Sequence, residues 1–331
     1  MDLPAVTVVV PAFNAEPWIG ESLSSVIAQS YPKHSLEIVV VDDASTDRTI
    51  DVAAAILDRS GIAHRVIRHA SPSGPSAARN NGWRASRGQW LQFLDADDQL
   101  APPKLELQAG AAIAASSDIA ALYSPWARLV QREGRWIEAA VMQPHTGDDP
   151  LLDLLRAENF LQLGCLLFSR TWLERVNGFD ESLWFIEDVD LLLRLVMSGA
   201  ALQAVGSPRA LSRYRQHSAS LSRSDDTRFV EGCVRNARLA ECYWRDRGPL
   251  TAERASTLAG IYFMGARFFS GRDSVRFDAL VDDVYRLDPN FLPKGPRTLR
   301  ILTRLFGYPR AERCAVQYRR LKQSIRPQAT A

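Results

Sequence analysis

The first hundred residues alternate short apolar runs with segments of helical periodicity. Apolar runs rich in β-branched residues predict buried strands at Ala5–Val10, Leu36–Val41, Arg65–Arg68 and Gln89–Leu94. Between them, apolar residues recur at helical spacing and predict helices over Glu16–Ser30, Thr49–Leu57 and Ser76–Ala85. Strands and helices that alternate in this way indicate an open α/β sheet with right-handed crossover connections.

The pattern changes after Asp98. Helices are predicted at Leu105–Ser116, Leu151–Arg156 and Val189–Met197, and strands at Ala120–Tyr123 and Trp126–Val130. Beyond Ser224 the periodicity is mostly helical. We therefore predict an α/β domain at residues 1–224, followed by a helical C-terminal region at residues 225–331 that ends in a basic tail.

The composition is that of an ordered globular protein. Of 331 residues, 46% are hydrophobic and 24% are charged, which excludes wholesale disorder. No apolar run approaches the roughly 20 residues of a membrane-spanning helix, and no secretory leader is expected. The four cysteines have no CxxC spacing, which predicts reduced thiols and a cytoplasmic protein.

The charge is divided unevenly along the chain. Residues 285–331 carry eleven Lys or Arg and two acids, whereas the whole chain has a net charge of only +2. Two interpretations stay open: the tail meets an anionic surface such as the inner face of a membrane, or it docks on the acidic remainder of the chain. Nucleic acid is not expected as a partner, because aromatic residues are sparse and the acid clusters repel phosphates.

One segment of the tail has the pattern of an amphipathic helix. Its apolar side is formed by Leu299, Leu302, Leu305 and Phe306, and Arg297, Arg300 and Arg304 lie opposite. A basic amphipathic helix can lie in a membrane interface. Packing against the rest of the chain is the alternative.

Two of the predicted strands end in clusters of acids. Val41 leads into Asp42-Asp43, and Leu94 leads into Asp95-Ala96-Asp97-Asp98. Ligands of open α/β sheets bind outside the carboxyl ends of the strands, so both clusters are expected at one crevice. Crowded carboxylates need a compensating cation or hydrogen-bond donors, and Mg²⁺ or Mn²⁺ is such a cation. The alternative is that these acids are turn and cap residues.

The order and spacing of several motifs resemble glycosyltransferase family 2. The motifs are PAFNAEPWIGESLSSVIAQSYPKHSLEIVVVDDASTD, SAARNNGWRASRGQWLQFLDADD, GFDESLWFIEDVDLLLRL and YRQHSASLS, and together they cover roughly residues 4–222. The resemblance implies inverting, metal-dependent enzymes with a GT-A fold, a Rossmann-like mixed sheet flanked by helices. It also implies a nucleotide-sugar-binding half at residues 1–100 and an acceptor half at residues 101–224.

The resemblance implies a donor site at the first strand ends. Pro11, Ala12 and Asn14 are expected to line the nucleotide pocket. Asp43 is expected to accept a hydrogen bond from the uracil ring nitrogen, and Arg79 to approach the donor diphosphate.

A metal site is implied at the fourth strand. Asp95 and Asp97 match the DxD motif that holds the ribose and a Mn²⁺ or Mg²⁺ ion. Asp98 is a further candidate ligand, and the choice between Asp97 and Asp98 stays open. His217 matches a histidine that completes the metal shell in some members, although a surface role is the alternative. Arg213 and Arg215 are expected to touch the diphosphate.

Glu187-Asp188 matches the acidic pair of the family, in which Asp188 is the expected catalytic base. We expect the N-terminus of a helix to keep Asp188 ionised. Trp184 and Glu187 are candidates for the acceptor pocket, where the tryptophan could stack on a sugar. The alternative is that Asp188 only caps the helix and Glu187 only pairs with Arg194.

These observations predict an enzyme that moves a sugar from a nucleoside-diphosphate sugar, preferably UDP-linked, to a hydroxyl acceptor. The acceptor is expected to be a carbohydrate, a lipid-linked glycan or a protein, in cell-surface glycan synthesis. A non-catalytic nucleotide-sugar-binding protein of the same fold is the alternative. Gln99 does not fit the motifs of haloacid-dehalogenase-type phosphatases or of EF-hand calcium loops.

Overall fold

The computed structural model of the protein describes residues 3–156, 160–217, 225–293 and 296–325, with side chains up to residue 318. The chain divides into two compact units, of which the first ends at Asp225 and the second begins at Asp226.

Eleven strands are defined in the described part of the first unit. In chain order they are β1 (Val6–Ala12), β2 (Leu36–Asp42), β3 (Ala63–Arg68), β4 (Trp90–Phe93), β5 (Gln99–Leu100), β6 (Ile119–Tyr123), β7 (Trp126–Arg132), β8 (Arg135–Met142), β9 (Leu166–Ser169), β10 (Ala201–Ala204) and β11 (Ser212–Arg215). Seven of them form one mixed sheet in the order β10-β6-β9-β4-β1-β2-β3, and the other four form a second sheet in the order β5-β11-β7-β8.

Helices α1 to α7 belong to the first unit and α8 to α12 to the second. They are α1 (Ile19–Ile27), α2 (Thr49–Leu57), α3 (Pro75–Ala85), α4 (Lys104–Ala114), α5 (Pro150–Leu154), α6 (Arg170–Arg175), α7 (Glu187–Met197), α8 (Asp226–Arg245), α9 (Ala252–Phe269), α10 (Ser274–Leu287), α11 (Arg297–Phe306) and α12 (Tyr308–Ile325). The predicted bounds of α2 are those observed, and the helix predicted from Glu16 begins three residues later because Ala15 starts a turn.

The large sheet aligns the carboxyl ends of the strands that carry the acids. Strands β4, β1, β2 and β3 are parallel, and Ala12 pairs with Asp42 at the end of β1 and β2. The next strand, β9, runs antiparallel to β4. The acid clusters after β2 and β4 therefore start from the same edge of the sheet, as the sequence predicts.

Close packing holds α3 on the sheet. A β-carbon at Gly82 would lie 2.3 Å from Val9 Cγ1 and 3.2 Å from Val41 Cγ2. Only glycine allows this approach without movement of the strands, because real Cβ atoms essentially never come so close. On the opposite face of β1, the fully buried Ile19, Leu23 and Val26 of α1 complete the core.

The small sheet brings two distant segments beside the acids after β4. β11 pairs antiparallel with β5, where Arg213 is opposite Gln99, and it pairs in parallel with β7. A tight turn at Glu133 and Gly134, both with positive φ, joins β7 to β8. Strands β5, β8, β9, β10 and β11 are not predicted from the sequence. Four of them have at most four residues, and β8 is mostly exposed.

The second unit is helical in its described residues, and a buried carboxylate joins three of its helices. Glu241 on α8 accepts a hydrogen bond of 2.7 Å from Tyr262 Oη on α9 and pairs with Arg245 and with Arg286 on α10. These donors outweigh the effect of burial and lower the pKa of Glu241 to about 2. Among the described residues, no helix is both long enough and apolar enough to cross a bilayer.

Candidate active site

Asp43 lies directly after β2, and three donors hold its carboxylate. Oδ1 accepts from the backbone N–H of Ser73 at 2.8 Å and contacts His69 Nδ1 at 2.7 Å, while Oδ2 accepts from Gly74 N–H at 2.8 Å. The two amides precede α3, whose N-terminal dipole favours a negative charge. A carboxylate accepts about four hydrogen bonds, so Asp43 Oδ2 can still accept one from a ligand.

His69 is a contact that the sequence analysis did not assign. It follows β3 directly, at the same edge of the sheet as Asp43, and its Nε2 lies 2.6 Å from Asn81 Nδ2. Its place after a parallel strand was the available signal, since such positions converge on one crevice.

Trp184 covers the turn that leads into α3. Gly74 has a φ of +90°, and a β-carbon there would lie 3.0 Å from Trp184 Cε2. Ser76 Oγ donates a 2.7 Å hydrogen bond to the carbonyl of Leu183, which ties the loop before α7 to the start of α3. The half-buried indole of Trp184 therefore lies close to the peptide that binds Asp43.

Asn14 joins the loop after β1 to the loop after β2. Its backbone lies in the left-handed region, with a φ of 47°. The side-chain carbonyl of Asn14 accepts a hydrogen bond from the backbone N–H of Thr46 at 2.9 Å, and the backbone N–H of Asn14 donates to Ser45 Oγ at 2.9 Å. Asn14 thus orders the wall of the crevice beside Asp43.

Phe13 presents the exposed apolar surface of this wall. Its side chain is 53% exposed, whereas Ala12 is buried and Pro11 half-buried. Asp43 N–H donates to the carbonyl of Ala12 at 2.8 Å, so the chain around Phe13 lies next to Asp43. Phe13 lies between the predicted pocket residues Ala12 and Asn14 but was not itself predicted from the sequence.

Arg79 links two acids from distant parts of the chain. Its Nη2 donates to Asp95 Oδ1 at 2.7 Å, and its Nη1 donates to Glu187 Oε1 at 2.6 Å. The guanidinium is buried, and the two carboxylates raise the pKa of Arg79 despite that burial. The structure therefore places α3, the loop after β4 and the start of α7 around one charge.

Asp188 lies in the first turn of α7, beside that ion pair. It is half-buried, and its Oδ1 accepts from the N–H of Val189 at 2.8 Å. Burial and the neighbouring charge of Glu187 raise the pKa of Asp188 to about 7. The expectation that the helix N-terminus keeps this group ionised stays a prediction, since a pKa of about 7 leaves a large fraction of Asp188 ionised at neutral pH.

Glu187 does not pair with Arg194, which was the alternative to a role in the acceptor pocket. Glu187 pairs with Arg79, whereas Arg194 donates to Asp190 Oδ2 at 2.7 Å, one turn earlier on α7.

Asp97 and Asp98 have different surroundings. Asp97 Oδ2 lies 2.8 Å from His217 Nε2, and both side chains are partly exposed. Asp98 is buried: Oδ1 accepts from Arg215 N–H and Oδ2 from Gln162 Nε2, each at 2.8 Å. Burial and neighbouring carboxylates raise the pKa of both acids.

The described residues contain no group of three or more His, Cys, Asp or Glu side chains arranged to hold a metal ion. Asp97 and His217 nevertheless supply one carboxylate and one imidazole side by side. A divalent ion that keeps water ligands and binds substrate phosphates needs only one or two protein ligands. This pair of donors fits Mn²⁺ better than Mg²⁺, because imidazole is a softer ligand than carboxylate.

An aromatic cluster encloses Arg215. The guanidinium lies 4.7 Å from the ring centroids of both Trp18 and Trp136, and Trp18 stacks on His217 at 5.1 Å. Arg215 Nε also donates to the carbonyl of Asp97 at 2.8 Å.

Neither arginine before His217 has the open position expected of a diphosphate contact. Arg215 is 1% exposed, and Arg213 pairs with Glu138 on β8. Trp136 lies on β8, a strand that the sequence did not predict, so no sequence signal indicated its contact with Arg215. The remainder of the YRQHSASLS motif, residues 218–222, lies outside the described residues.

The predicted site residues thus form two connected groups. Asp43 and Trp184 lie at the N-terminus of α3, and Arg79, one turn further along α3, connects them to Asp95 and Glu187. Asp97 and His217 form the second group, joined to the first by the short loop after β4. The arrangement combines a carboxylate that can accept a proton near neutral pH with groups that can hold an anionic ligand.

Comparison with known proteins identifies the family. The sequence profile described as Glycosyl transferase family 2 matches residues 7–176, just over half of the chain. The succinoglycan biosynthesis protein ExoO of Rhizobium meliloti is 33% identical over 227 residues, which is 67% of this chain and 63% of that protein. Of the three curated relatives that match first, the alignments span 42%, 63% and 15% of their own lengths.

Solved structures share the predicted GT-A fold. Staphylococcus aureus TarS, residues 1–349, in complex with UDP-GlcNAc is 21% identical with a TM-score of 0.66, over 95% of this chain and 91% of that one. Mannosyltransferase PcManGT from Pyrobaculum calidifontis, in complex with GDP-Man and Mn²⁺, is 21% identical with a TM-score of 0.55, over 96% and 87% of the two chains. The predicted fold class is confirmed.

Proposed function

The chain belongs to glycosyltransferase family 2, and on that premise we propose that it is an inverting, metal-dependent transferase of nucleoside-diphosphate sugars. The observation that carries the proposal is the Arg79 bridge, which sets a carboxylate with a pKa of about 7 beside the acids that follow β4. An inverting transfer is one displacement at the anomeric carbon. It needs a base for the acceptor hydroxyl and a counter-charge for the leaving diphosphate.

The nucleotide binds at the ends of β1 and β2. Asp43 Oδ2, with one acceptor position left, receives the ring N–H of uracil, and this supports UDP as the preferred nucleotide. Phe13 offers its exposed ring as a stacking surface for the base. Pro11, Ala12 and Asn14 shape the loop that carries it.

The diphosphate and ribose lie along the loop after β4. Asp97 and His217 are the residues that would hold a Mn²⁺ or Mg²⁺ ion, and such an ion supplies counter-charge to the leaving diphosphate. Asp98 is the weaker candidate because both of its oxygens already accept hydrogen bonds. Asp95 orients the ribose, and Arg79 holds Asp95 in place.

Asp188 acts as the base. A carboxylate with a pKa near 7 is a stronger proton acceptor than an ordinary aspartate, and a large fraction of it is still ionised at neutral pH. Glu187 stays paired with Arg79 and positions the first turn of α7. Trp184 lies beside this turn, where its ring can pack on the acceptor sugar.

The acceptor is a glycan of the cell surface, and the likeness to a succinoglycan biosynthesis protein supports this class. We place the enzyme in the cytoplasm, at the inner face of the membrane. The domain bounds 1–224 and 225–331 remain our proposal for its organisation.

The test is release of UDP from a panel of UDP-sugars, with and without MnCl₂. Turnover of one sugar, abolished by chelation with EDTA, is the expected result. Thermal protection by UDP and MnCl₂ without turnover of any sugar, with a range of glycan acceptors supplied, would instead favour the non-catalytic binding protein.

A further inference from the structure

The outer face of α11 combines three cations with exposed aliphatic side chains. Arg297, Arg300 and Arg304 recur at helical spacing and are exposed. Ile301 and Leu305, which are 55% and 67% exposed, lie on the same side, since successive helical residues are about 100° apart. These five residues form what we call the α11 face.

This arrangement differs from the one that the sequence predicts. The sequence predicts an apolar side with Leu299, Leu302, Leu305 and Phe306 and an opposite side with the three arginines. In the structure Leu299 and Thr303 are buried, whereas Leu305 is exposed next to the arginines. The apolar side of the helix is therefore only partly used for packing.

The arginines of the α11 face have no carboxylate partner within the described part of the chain, unlike other arginines of the same unit. Exposed ion pairs of that unit are Arg238–Asp283, Arg276–Glu231, Arg286–Asp283 and Arg313–Asp278. Helix α11 itself contains no acid. Among the described residues, the α11 face therefore keeps its three positive charges without a compensating carboxylate.

We propose that the α11 face binds the surface of an anionic lipid bilayer. Guanidinium groups can pair with lipid phosphates while the neighbouring aliphatic side chains enter the interface. A nucleic acid would satisfy the arginines but offers nothing to Ile301 and Leu305. The inference deepens the proposed function and rests on it for its purpose, because a lipid-carried acceptor is then presented to an enzyme already held at the membrane.

The experiment is flotation of the full chain with vesicles of phosphatidylcholine and phosphatidylglycerol in a 3:1 ratio, against phosphatidylcholine alone. We expect binding to the anionic vesicles that falls as NaCl is raised. Each basic residue near an anionic surface contributes about fivefold to partitioning, so Arg297→Gln, Arg300→Gln and Arg304→Gln together should reduce it by roughly 100-fold. Unchanged flotation of this triple variant would overturn the proposal.

Matched control variants distinguish binding by the α11 face from a general effect of net charge. Arg238→Gln, Arg276→Gln and Arg313→Gln remove the same charge from ion-paired positions and should reduce binding much less. Ile301→Ser with Leu305→Ser should weaken binding, whereas Val275→Ser, at an aliphatic residue that is 78% exposed, should not. Equal losses in the control and test variants would contradict a dedicated face, and circular dichroism melts check that each variant folds.

Two further outcomes are informative. UDP release without vesicles should be the same in wild type and in the triple variant, so failure of the proposed function and failure of membrane binding can be told apart. A dimer in light scattering that is lost in the triple variant, without flotation of the wild type, would assign the face to a second copy and overturn the proposal.

Discussion

Arg79 and Glu187, 108 positions apart in the chain, are joined by a hydrogen bond of 2.6 Å inside the crevice. The ion pair compensates the charge of Glu187, which lies next to Asp188 in the first turn of α7. Burial and the charge of Glu187 together bring the pKa of Asp188 to about 7. A structural ion pair therefore lies beside the proposed base and influences its proton affinity.

Replacing the proposed base tests the mechanism directly. We predict that Asp188→Asn loses at least about 100-fold in kcat, the contribution typical of general base catalysis. Binding of UDP and Mn²⁺ should persist, because Asn has the same shape and other residues, Asp43 and Asp97, are the proposed contacts of the uracil and the metal. Asp58→Asn, at a side chain that is 75% exposed, is the control and should be fully active. Near-normal kcat in Asp188→Asn would remove this residue from the mechanism.

The pH dependence of kcat follows from the raised pKa of Asp188. The base works in its ionised form, and its pKa is raised from 3.8 to about 7. We predict that kcat, measured with saturating donor, falls about tenfold per pH unit below pH 7 and levels off above it. A kcat that does not change from about pH 5 to pH 8 would show that an aspartate with an ordinary pKa, or no base, limits the rate.

The guanidinium of Arg79 donates to two carboxylates at once, and a lysine ammonium should not replace it. Lysine cannot donate to Asp95 and Glu187 in the same geometry, so Arg79→Lys should reduce kcat/KM by about 10- to 100-fold. Lysine keeps a positive charge near Asp188, so the lower limb of the pH profile should stay close to its wild-type position. Arg84→Lys on the same helix, which changes an exposed pair with Glu181, serves as control. Equal activities of the two variants would contradict the role of Arg79.

Phe13 tests the assignment of the nucleotide pocket. Loss of a stacking ring typically costs about 1–3 kcal/mol per base, so Phe13→Ala should weaken UDP binding about 5- to 150-fold in isothermal titration calorimetry. Phe13→Tyr should retain the affinity, and Leu107→Ala, at another exposed apolar residue, should not change it. Unaltered binding by Phe13→Ala would place the base elsewhere.

Trp136 should influence metal binding through its contact with Arg215. A cation–π contact contributes about 0.5–2 kcal/mol, so Trp136→Ala should weaken Mn²⁺-dependent UDP binding about 2- to 30-fold through a less ordered Asp97 and His217. UDP binding without metal should stay unchanged, which separates this effect from damage to the nucleotide pocket. Ile137→Ala, the neighbouring exposed residue on β8, is the control. Equal losses with and without metal would contradict a role for Trp136 in ordering the metal ligands.

The sequence by itself determined the strands that carry the acids. Val6–Ala12 and Leu36–Asp42 are apolar on both faces, so they are interior parallel strands, and the residues after them share one edge. Asp43 and Asp95, which follow such strands, are therefore expected at one crevice from the sequence alone. The motif spacing likewise placed Glu187 and Asp188 at the start of a helix.

Only the tertiary structure decided which partner each of these groups meets. Glu187 meets Arg79 instead of Arg194, His69 supports Asp43, and Trp136 packs on Arg215. Such contacts join residues far apart in the chain, and the local hydrophobic periodicity of the sequence does not predict them. The same holds for the pKa of Asp188: the start of the helix can be predicted from the sequence, but the burial that raises this pKa is produced by packing.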